Sequence, residues 1–468
     1  MCIKKFIALS LAVGLILCLA GCDLPQDISL GISSYSGTAS VENPSSGTTV
    51  SGPADSTSSA SSDISNNPSS ETPATTTSGG GGNSENNNNN NNNNTTTTSS
   101  DSGQGDQQQG GQNQGGQNQG SQEQGGGSYT AIGEDNRYCY TTANLSGKQK
   151  ALYLNVRNAV KSKTASLSLS AAAGISPDDV RLVVQCVNTD FPEYYWMTGS
   201  YSLRYSGNTA TQIDFQFLPF NDSYTAAMEK AVEKFCDSLP ANLSDYELEL
   251  RAHDYLCKNV NYGGSNGYAH TAYGALVSKT CVCEGYARAM QLLMNRVGVQ
   301  CSLVRGDAGG DGHMWNIIKI QGKWYHLDVT WDDPVGASTY NHFFFNLTTA
   351  QITDWDHTID PGFAAGSEKG FNTTLPNCTV TDSNYFVKAK ALLNGSNDDA
   401  IATAALKAAK KSGKKSCEFL ATVDSAYHGL QKSQDKLNAF SNNVWAAGIG
   451  SFSIITSKSP DCFMITWQ

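Results

Sequence analysis

Three residues in one stretch of the chain, Cys283, His313 and Asp328, have the types that thiol chemistry requires. A thiolate is a strong nucleophile toward carbonyl carbon, an imidazole can move the protons, and a carboxylate can orient the imidazole. Such chemistry needs all three side chains at one place in the fold. The local sequence pattern of residues 279–334 predicts how they are positioned.

Cys283 is predicted to lie at the start of a helix. Apolar side chains recur at three- and four-residue spacing from Tyr286 to Val297, and Gly298 is a helix stop signal. Counting back three residues from Tyr286 reaches Cys283, so its sulfur should point along the buried face of the helix. The unpaired N–H groups and the dipole at a helix start favour an anion, which lowers a thiol pKa and raises the thiolate fraction.

The histidine and the aspartate are predicted to lie on neighbouring strands. Residues 301–306 have the pattern of a strand, and 307–312 that of a glycine-rich loop. Residues 313–320 and 323–331 are predicted as two further strands, joined by a turn at Gln321 and Gly322.

A turn at those two residues fixes the antiparallel register of the hairpin. His313 and Asp328 then become diagonal neighbours on one face of the sheet, with Cβ atoms roughly 6 to 8 Å apart. At that separation the carboxylate can hold the imidazole ring. The pairs predicted to lie opposite each other are Ile320 with Lys323, Trp315 with Asp328, and His313 with Thr330.

These residues lie in blocks that resemble the catalytic blocks of the bacterial transglutaminase-like family. The blocks are VCEGYA at 282–287, HMWN at 313–316 and WYHLDVTWDDP at 324–334, in the order and spacing of the family. The resemblance implies an α+β, papain-like fold in which Cys283 is the nucleophile. His313 would be the general base and acid, and Asp328 the orienting carboxylate. Cys281 is a departure, because that position is often glycine in the family.

Other residues are expected to support the site. Trp315 and Trp331 would form core and site walls, and Tyr273 is a candidate oxyanion donor beside the N–H of Cys283. His326 shares the face of Asp328 but is interpreted as structural. The supporting residues expected within the three blocks are Glu284, Gly285, Tyr286, Trp315, Asn316 and Trp331.

No metal or cofactor is expected. A zinc site could be imagined from Cys281, Cys283, His270 and His313, but a Cys-x-Cys pair lacks the usual Cys-x₂-Cys spacing. A net charge of −11 without basic clusters argues against nucleic acid as a partner.

The implied reaction is attack of the Cys283 thiolate on a carboxamide or peptide carbonyl, giving a thioester. An amine acceptor would make the protein a transglutaminase, whereas water would make it a deamidase or a cysteine peptidase. The expected substrates are proteins or peptides, with cell-wall and surface proteins as candidates. A different class also stays open: a catalytically silent surface module for binding or adhesion that kept the fold.

Residues 1–21 have the pattern of a secretory signal peptide. Lys4 and Lys5 precede an apolar run that ends in LAGC at 19–22, which resembles a bacterial lipobox. Processing of that kind would cut before Cys22 and attach a diacylglycerol to it, anchoring an extracytoplasmic protein to the membrane. An uncleaved anchor helix is the alternative, and it also leaves the rest of the chain outside the cytoplasm.

Composition divides the remaining chain into three parts. Residues 22–128 consist mostly of Gly, Ser, Thr, Asn and Gln and predict a disordered, flexible tether. Residues 129–384 are expected to form the catalytic domain with an N-terminal extension, its core spanning about 245–335. Residues 385–468 are expected to form a small α+β extension or domain. Ten of the 13 cysteines follow residue 128, and the sequence does not reveal which of them pair.

Periodicity also predicts elements outside the central stretch. The helices are expected at 152–169, 223–239, 244–259, 384–393, 400–411 and 424–440. The strands are expected at 180–188, within 194–218, at 341–346 and 417–423, and in a hairpin of 451–456 with 462–467.

Overall fold

The computed structural model describes residues 129–337, 339–360, 375–457 and 461–468. The predicted signal peptide, Cys22 and the predicted tether lie outside the described residues. Within the described part of the chain, no helix combines the length and the apolar character needed to cross a bilayer.

Residues 129–259 form helices around a small antiparallel sheet. The helices are α1 (Tyr138–Thr142), α2 (Gly147–Lys161), α3 (Pro177–Asp190), α4 (Asp222–Asp237) and α5 (Asp245–Asn259), and the strands are β1 (Ser166–Ser168), β2 (Met197–Ser206) and β3 (Thr209–Phe217). The strand order is β1-β3-β2. The predictions of strands within 194–218 and of helices near 223–239 and 244–259 are confirmed.

The predicted strand at 180–188 is wrong, because this segment lies within α3. Its valines suggested a strand, but the residues just before it start a helix. Ser176 accepts a hydrogen bond from the N–H of Asp179, and Asp179 accepts one from the N–H of Ser176. Pro177 occupies the first turn, where its missing N–H costs nothing. The helix predicted over 152–169 is also too long, since α2 ends at Lys161 and β1 follows.

The central region contains a second sheet with a helix packed on it. Its helices are α6 (Cys283–Arg296), α7 (Val329–Asp332) and α8 (Thr349–Asp354), with a 3₁₀ turn at Gly267–His270 and a π-helical turn at Gly274–Ser278. Its strands are β4 (Asn261–Tyr262), β5 (Thr280–Cys281), β6 (Cys301–Ala308), β7 (Asp311–Ile320), β8 (Lys323–Leu327) and β9 (His357–Ile359). The last four of these form an antiparallel sheet in the order β8-β7-β6-β9, and α6 packs against β6 and β7.

The predicted turn between β7 and β8 is confirmed. Ile320 pairs with Lys323, and both turn residues have positive φ, 50° for Gln321 and 81° for Gly322. Positive φ at both positions belongs to the two-residue turn whose twist matches the flanking strands. The helix predicted from Cys283 to just before Gly298 is confirmed as α6.

Two details of the predicted sheet are wrong. The loop expected at 307–312 is a tight turn, since β6 continues to Ala308 and β7 begins at Asp311. The strand expected to reach residue 331 ends at Leu327, because the carboxylate of Asp328 caps the helical turn α7. The β7–β8 ladder therefore stops at the pair of Asn316 with Leu327. The predicted pairs of Trp315 with Asp328 and of His313 with Thr330 are wrong, and within the described strands His313 pairs only with Gly306 of β6, on the other side of β7.

The aromatic segment 341–346 is buried but is not a strand. Its backbone bonds both to side chains and to the backbone at the two ends of α7: the N–H of Asp328 donates to the carbonyl oxygen of Phe344 at 3.1 Å, and the N–H of Asn341 donates to that of Asp332 at 2.8 Å. Asn341 accepts from the N–H of Phe343 at 2.9 Å, and Asp332 accepts from the N–H of Phe344 at 2.8 Å. The N–H groups of Phe343 and Phe344 thus find acceptors without a ladder of strand pairs.

Residues 385–468 form helices on one further sheet. The helices are α9 (Tyr385–Lys388), α10 (Asp398–Lys411) and α11 (Gln434–Ala446), and the strands are β10 (Leu392–Leu393), β11 (Ser416–Ala421), β12 (Phe452–Thr456) and β13 (Cys462–Trp467). The strand order is β10-β11-β13-β12, and the predicted hairpin is confirmed as β12 and β13. The helices predicted at 384–393 and 424–440 are largely wrong: the first is the single turn α9, and the second begins only at Gln434.

A buried pair joins this C-terminal part to the central region. Glu418 of β11 binds His342 twice, through the backbone N–H at 2.7 Å and through Nδ1 at 2.8 Å. Nε2 of the same ring lies 3.0 Å from Asp254 of α5. Burial alone would lower the pKa of His342, but the charge of Glu418 and the hydrogen bonds to both carboxylates raise it above its ordinary value. His342 is therefore a buried cation held between two carboxylates.

Replacing Glu418 by Gln should destabilise the protein by about 3–5 kcal/mol near neutral pH, because it leaves the His342 cation incompletely paired. The folded-state pKa of His342 is raised. The stabilisation that the charged pair of His342 and Glu418 gives is therefore complete below about pH 6.5, and it disappears as the pH rises through the folded-state pKa of His342. Urea unfolding of wild type and Glu418→Gln at about pH 6 and about pH 9 measures the difference.

The matched control is Glu134→Gln, which breaks the exposed pair of Glu134 with Lys161. This change should have little effect at either pH. A loss of stability in Glu418→Gln that is the same at both pH values would contradict the assigned charge of His342.

Candidate active site

Cys283 is the first residue of α6, as the sequence predicted. The first N–H groups of a helix have no intrahelical acceptor, and here no N-cap side chain supplies one either. The Cys283 side chain is half-buried, whereas Cys281 is completely buried. Burial raises the pKa of the Cys281 thiol far above its ordinary value, with a smaller contribution from Cys283. Of these two cysteines, Cys283 is the one with access to solvent.

Gly285 and Tyr286 fix the start of α6 in place. A Cβ atom at position 285 would lie 2.5 Å from the carbonyl oxygen of Ala269 and 2.5 Å from Cβ of Cys281, so only glycine allows this close packing. The hydroxyl of Tyr286 donates to Asp333 at 2.8 Å and lies 3.1 Å from the carbonyl oxygen of Val260. Both predicted support residues thus act by positioning the backbone that carries Cys283.

His313 lies on β7 with its ring held by a carboxylate and two indoles. Nε2 is 2.6 Å from Oδ2 of Asp328, which leaves Nδ1 as the ring nitrogen for another partner. The ring stacks on Trp315 at 5.9 Å and meets the edge of Trp331 at 6.2 Å. Burial alone would lower the pKa of His313, but the charges of Asp328 and then Cys283 raise it, as do hydrogen bonds to both side chains.

Asp328 is the hydrogen-bond centre of the site. Its Oδ1 accepts from the N–H groups of Thr330 at 2.9 Å and Trp331 at 3.2 Å. Its Oδ2 faces Nε2 of His313 at 2.6 Å and Nε2 of His357 at 2.9 Å. Burial would raise the pKa of Asp328, but the charge of His313 and the hydrogen bonds of both histidines hold it well below its usual range. Asp328 is therefore ionised.

His357 was not among the predicted site residues. It lies on β9, whose antiparallel pairing with β6 brings it beside the site from the far edge of the sheet. No local motif marks it, because its position depends on that long-range pairing. The contact of His357 with Oδ2 of Asp328 could therefore be found only from the structure.

Two further predicted support residues, Asn316 and Glu284, contact the elements that carry the site. Asn316 donates to the carbonyl oxygens of Ala287 at 2.9 Å and Ser302 at 3.1 Å, tying β7 to α6 and β6. Glu284 accepts from Nε of Arg288 at 2.8 Å and lies 3.2 Å from Nδ1 of His270, so its charge is paired beside the helix start.

Trp315 and His326 form a buried pair behind His313. Nε1 of Trp315 donates to Nδ1 of His326 at 3.1 Å, which requires that nitrogen to be unprotonated. Burial, followed by the charge of His357, lowers the pKa of His326 to about 3. His326 is therefore neutral, which agrees with its interpretation as structural.

Tyr273 lies among aromatic rings. Its ring packs with Tyr195 at 5.1 Å, Tyr224 at 5.3 Å and Tyr268 at 5.5 Å. These contacts give no support for the role of oxyanion donor, which stays a prediction. The backbone N–H of Cys283, the other predicted donor, also stays a prediction.

Two groups of described side chains bring possible metal-ligand atoms within 4.8 Å of one another: His253, Asp254 and His342, and His313, Asp328 and His357. In both groups the imidazole nitrogens lie at hydrogen-bonding distance from carboxylate oxygens. Protons on those nitrogens account for the contacts. We therefore interpret the contacts in both groups as hydrogen bonds.

Comparison with known proteins finds a family model that matches part of this region. Residues 234–329 match the family model described as the transglutaminase-like superfamily. Kyphoscoliosis peptidase of Mus musculus and that of Homo sapiens are each 25% identical over an alignment of 170 residues. The alignment covers 31% of this chain and 26% of each relative. The match thus spans about a quarter of the length of these curated relatives.

Similarity to solved structures is low over the whole chain. The structure of a TGase aligns with a TM-score of 0.22 and 12% identity, covering 34% of this chain and 48% of that chain. The periplasmic domain of TgpA from Pseudomonas aeruginosa bound to ethylmercury aligns with a TM-score of 0.15 and 13% identity, covering 27% and 56%. On the family match, the chain contains a transglutaminase-like domain within a mixed α/β structure.

Alkylation should identify Cys283 as the reactive thiol. We expect that Cys283→Ala removes the fast reaction with iodoacetamide at neutral pH, while Cys281→Ala keeps its rate within about tenfold, because only position 283 is both accessible and at the helix start. Peptide mapping by mass spectrometry after short labelling measures the rate at each site.

Cys236→Ala is the control, since Cys236 is also partly exposed but burial raises its pKa. Its rate profile should match wild type. Fast labelling that survives in Cys283→Ala and is lost in Cys281→Ala would overturn the assignment.

Proposed function

We propose that this protein is an extracytoplasmic, membrane-anchored enzyme that cleaves peptide or protein amides through a Cys283–His313–Asp328 triad. The main support is the 2.6 Å contact of His313 Nε2 with the ionised Asp328, beside a cysteine at the start of α6. The match to the transglutaminase-like superfamily agrees with this chemistry, and relatives named peptidases carry a similar segment.

The first half-reaction makes a thioester. Nδ1 of His313 takes the proton of the Cys283 thiol, while the N–H group at Nε2 keeps its hydrogen bond to Asp328. The thiolate attacks the carbonyl carbon of an amide, and the N–H of Cys283 stabilises the negative charge that develops on the oxygen. The imidazolium then gives its proton to the departing nitrogen. The C–N bond breaks, and ammonia or an amine leaves.

The second half-reaction regenerates the thiol. His313, now neutral, removes a proton from the acceptor, which attacks the thioester carbonyl. The C–S bond breaks, and the imidazolium returns the proton to the Cys283 sulfur. Water as acceptor gives a carboxylic acid, so the protein would be a peptidase or a deamidase. An amine as acceptor gives a new amide, so it would be a transglutaminase.

The placement of the enzyme is also part of the proposal. The LAGC sequence at 19–22 supports lipid attachment at Cys22, and residues 22–128 would then act as a tether between the membrane and the catalytic domain. We assign residues 129–384 to that domain and 385–468 to its C-terminal extension. Peptides or proteins near the cell surface are the proposed substrates.

The type of acceptor is measured by incubating the protein with glutamine-containing peptides, with and without a primary amine. Mass spectrometry distinguishes the three outcomes: amine incorporation with loss of ammonia, conversion of glutamine to glutamate, or cleavage of the peptide bond. Cys283→Ala should abolish the activity, and His313→Ala should reduce it as severely. Turnover that persists in Cys283→Ala would contradict the proposal.

Asp328→Asn should lower kcat by about 10³- to 10⁴-fold. It should also lower the free energy of unfolding, because Oδ2 is the buried acceptor of both His313 and His357. The amide oxygen can keep the contacts with Thr330 and Trp331, but the amide N–H₂ group then faces Nε2 of His313. That nitrogen must present its lone pair, so the proton moves to Nδ1 and the ring can no longer accept from the thiol. Thermal unfolding by circular dichroism checks that the variant is folded, and wild-type kcat in a folded Asp328→Asn would contradict this role.

A further inference from the structure

A second histidine shares the carboxylate of Asp328 with His313. An ionised carboxylate offers about four lone-pair sites, and all of them are used here. Thr330 and Trp331 donate their N–H groups to Oδ1, and Nε2 atoms of His313 and His357 lie 2.6 and 2.9 Å from Oδ2. His357 is thus in direct contact with the same oxygen that orients His313.

The hydrogen bonds of His357 require a proton on each of its ring nitrogens. Nδ1 lies 2.9 Å from the carbonyl oxygen of Trp355, and a carbonyl oxygen can only accept. Nε2 lies 2.9 Å from Oδ2 of Asp328, which is ionised and also only accepts. Both nitrogens therefore face acceptors, and a ring that donates to both of them is an imidazolium.

Because His357 is buried close to His313, a positive charge on its ring has a large electrostatic effect on His313. The residue is 1% exposed, and its ring packs against Trp315 at 5.1 Å, Trp331 at 4.8 Å and Phe344 at 5.3 Å. The ring of His313 is only 5.6 Å away. In a buried environment, where the effective dielectric constant is low, charges at this separation interact strongly.

The titratable groups around His357 come from three neighbouring elements. Asp328 at the end of β8 and His313 of β7 face the ring directly. His326 of β8 lies behind Trp315 and is neutral. On β6, Asp307 pairs in the backbone ladder with Thr358 but is exposed. Asp328 is therefore the anion that balances the charge of His357.

We propose that His357 is a positioning residue that locks Asp328 in place and divides its negative charge between two imidazoles. The proposal rests on the proposed function, in which Asp328 supports His313. With His357 charged, the carboxylate stabilises the imidazolium of His313 less than an undivided carboxylate would. His357 therefore tunes the proton affinity of the pair formed by Cys283 and His313, without touching substrate.

Two substitutions separate the contacts of His357. Gln places an amide N–H near the position of Nε2, so His357→Gln keeps a donor to Asp328 but carries no charge. Asn is shorter and places its amide near the position of Nδ1, so His357→Asn keeps the donor to Trp355 and loses the contact with Asp328. Removing a positive charge raises the proton affinity of every nearby group.

The test is the pH profile of iodoacetamide alkylation at Cys283 in the full-length protein. In His357→Gln the acid limb should move to higher pH by about one unit, with a maximal rate within about tenfold of wild type. His357→Asn should show the same shift and a larger fall in the maximal rate, because Asp328 loses a donor. A lowered rate without any shift in His357→Gln would show a merely structural role and would overturn the proposal.

His428→Gln is the matched control. His428 is a partly exposed histidine of the C-terminal part, paired with Asp461. Its loss should leave the alkylation profile in place. A shift equal to that of His357→Gln would mean that the effect is not local, and would also overturn the proposal.

A second measurement applies to the wild-type protein and does not depend on variants that fold. The chain has seven histidines, so histidine-selective ¹⁵N labelling gives a small set of ring signals. Both ring nitrogens of His357 should show the shifts of a protonated imidazolium at neutral pH, and a neutral tautomer would refute the proposal. Neither measurement needs turnover, so failure to find a substrate would count against the proposed function alone.

Discussion

The carboxylate of Asp328 is the interaction on which the rest of the site depends. Its Oδ1 caps α7 and so ends β8 at Leu327, while its Oδ2 contacts histidines from the two strands β7 and β9. One side chain therefore decides where a strand stops, where a helical turn begins and how the ring of His313 is oriented. A neutral side chain of the same size could satisfy only part of this set, because an ionised carboxylate is the group that accepts at every position.

The opposite side of the site depends on close packing rather than on charge. The start of α6 lies against the backbone at Ala269 with no room for a Cβ at position 285, and the hydroxyl of Tyr286 anchors the first turn to Asp333. Asn316 ties the same helix to the strand of His313. The thiol and the imidazole are thus carried by elements that are fixed to each other by groups taking no part in the chemistry.

How far the sequence predicts the site depends on the range of the interactions. The α6 helix and the turn at Gln321 and Gly322 were predicted because three- and four-residue spacing and turn residues are local signals. The end of β8 was not predicted. Asp328 fits a strand or a helix cap equally well in the sequence, and only the N–H groups that donate to it distinguish the two. His357 left no signal, because β9 joins the sheet across a long stretch of chain. The signal peptide, Cys22 and the tether stay predictions.

The contacts of the C-terminal part reach the residues beside Asp328. Glu418 fixes the ring of His342, which stacks on His253 with ring centroids 4.7 Å apart. His253 lies 3.1 Å from Asp332, the last residue of α7, which Asp328 caps at the other end. Each of these contacts is buried and involves an ionisable group, so loosening one leaves a neighbour without its partner in a medium that stabilises isolated charge poorly. The C-terminal residues are therefore part of what holds α7, and with it Asp328, in position.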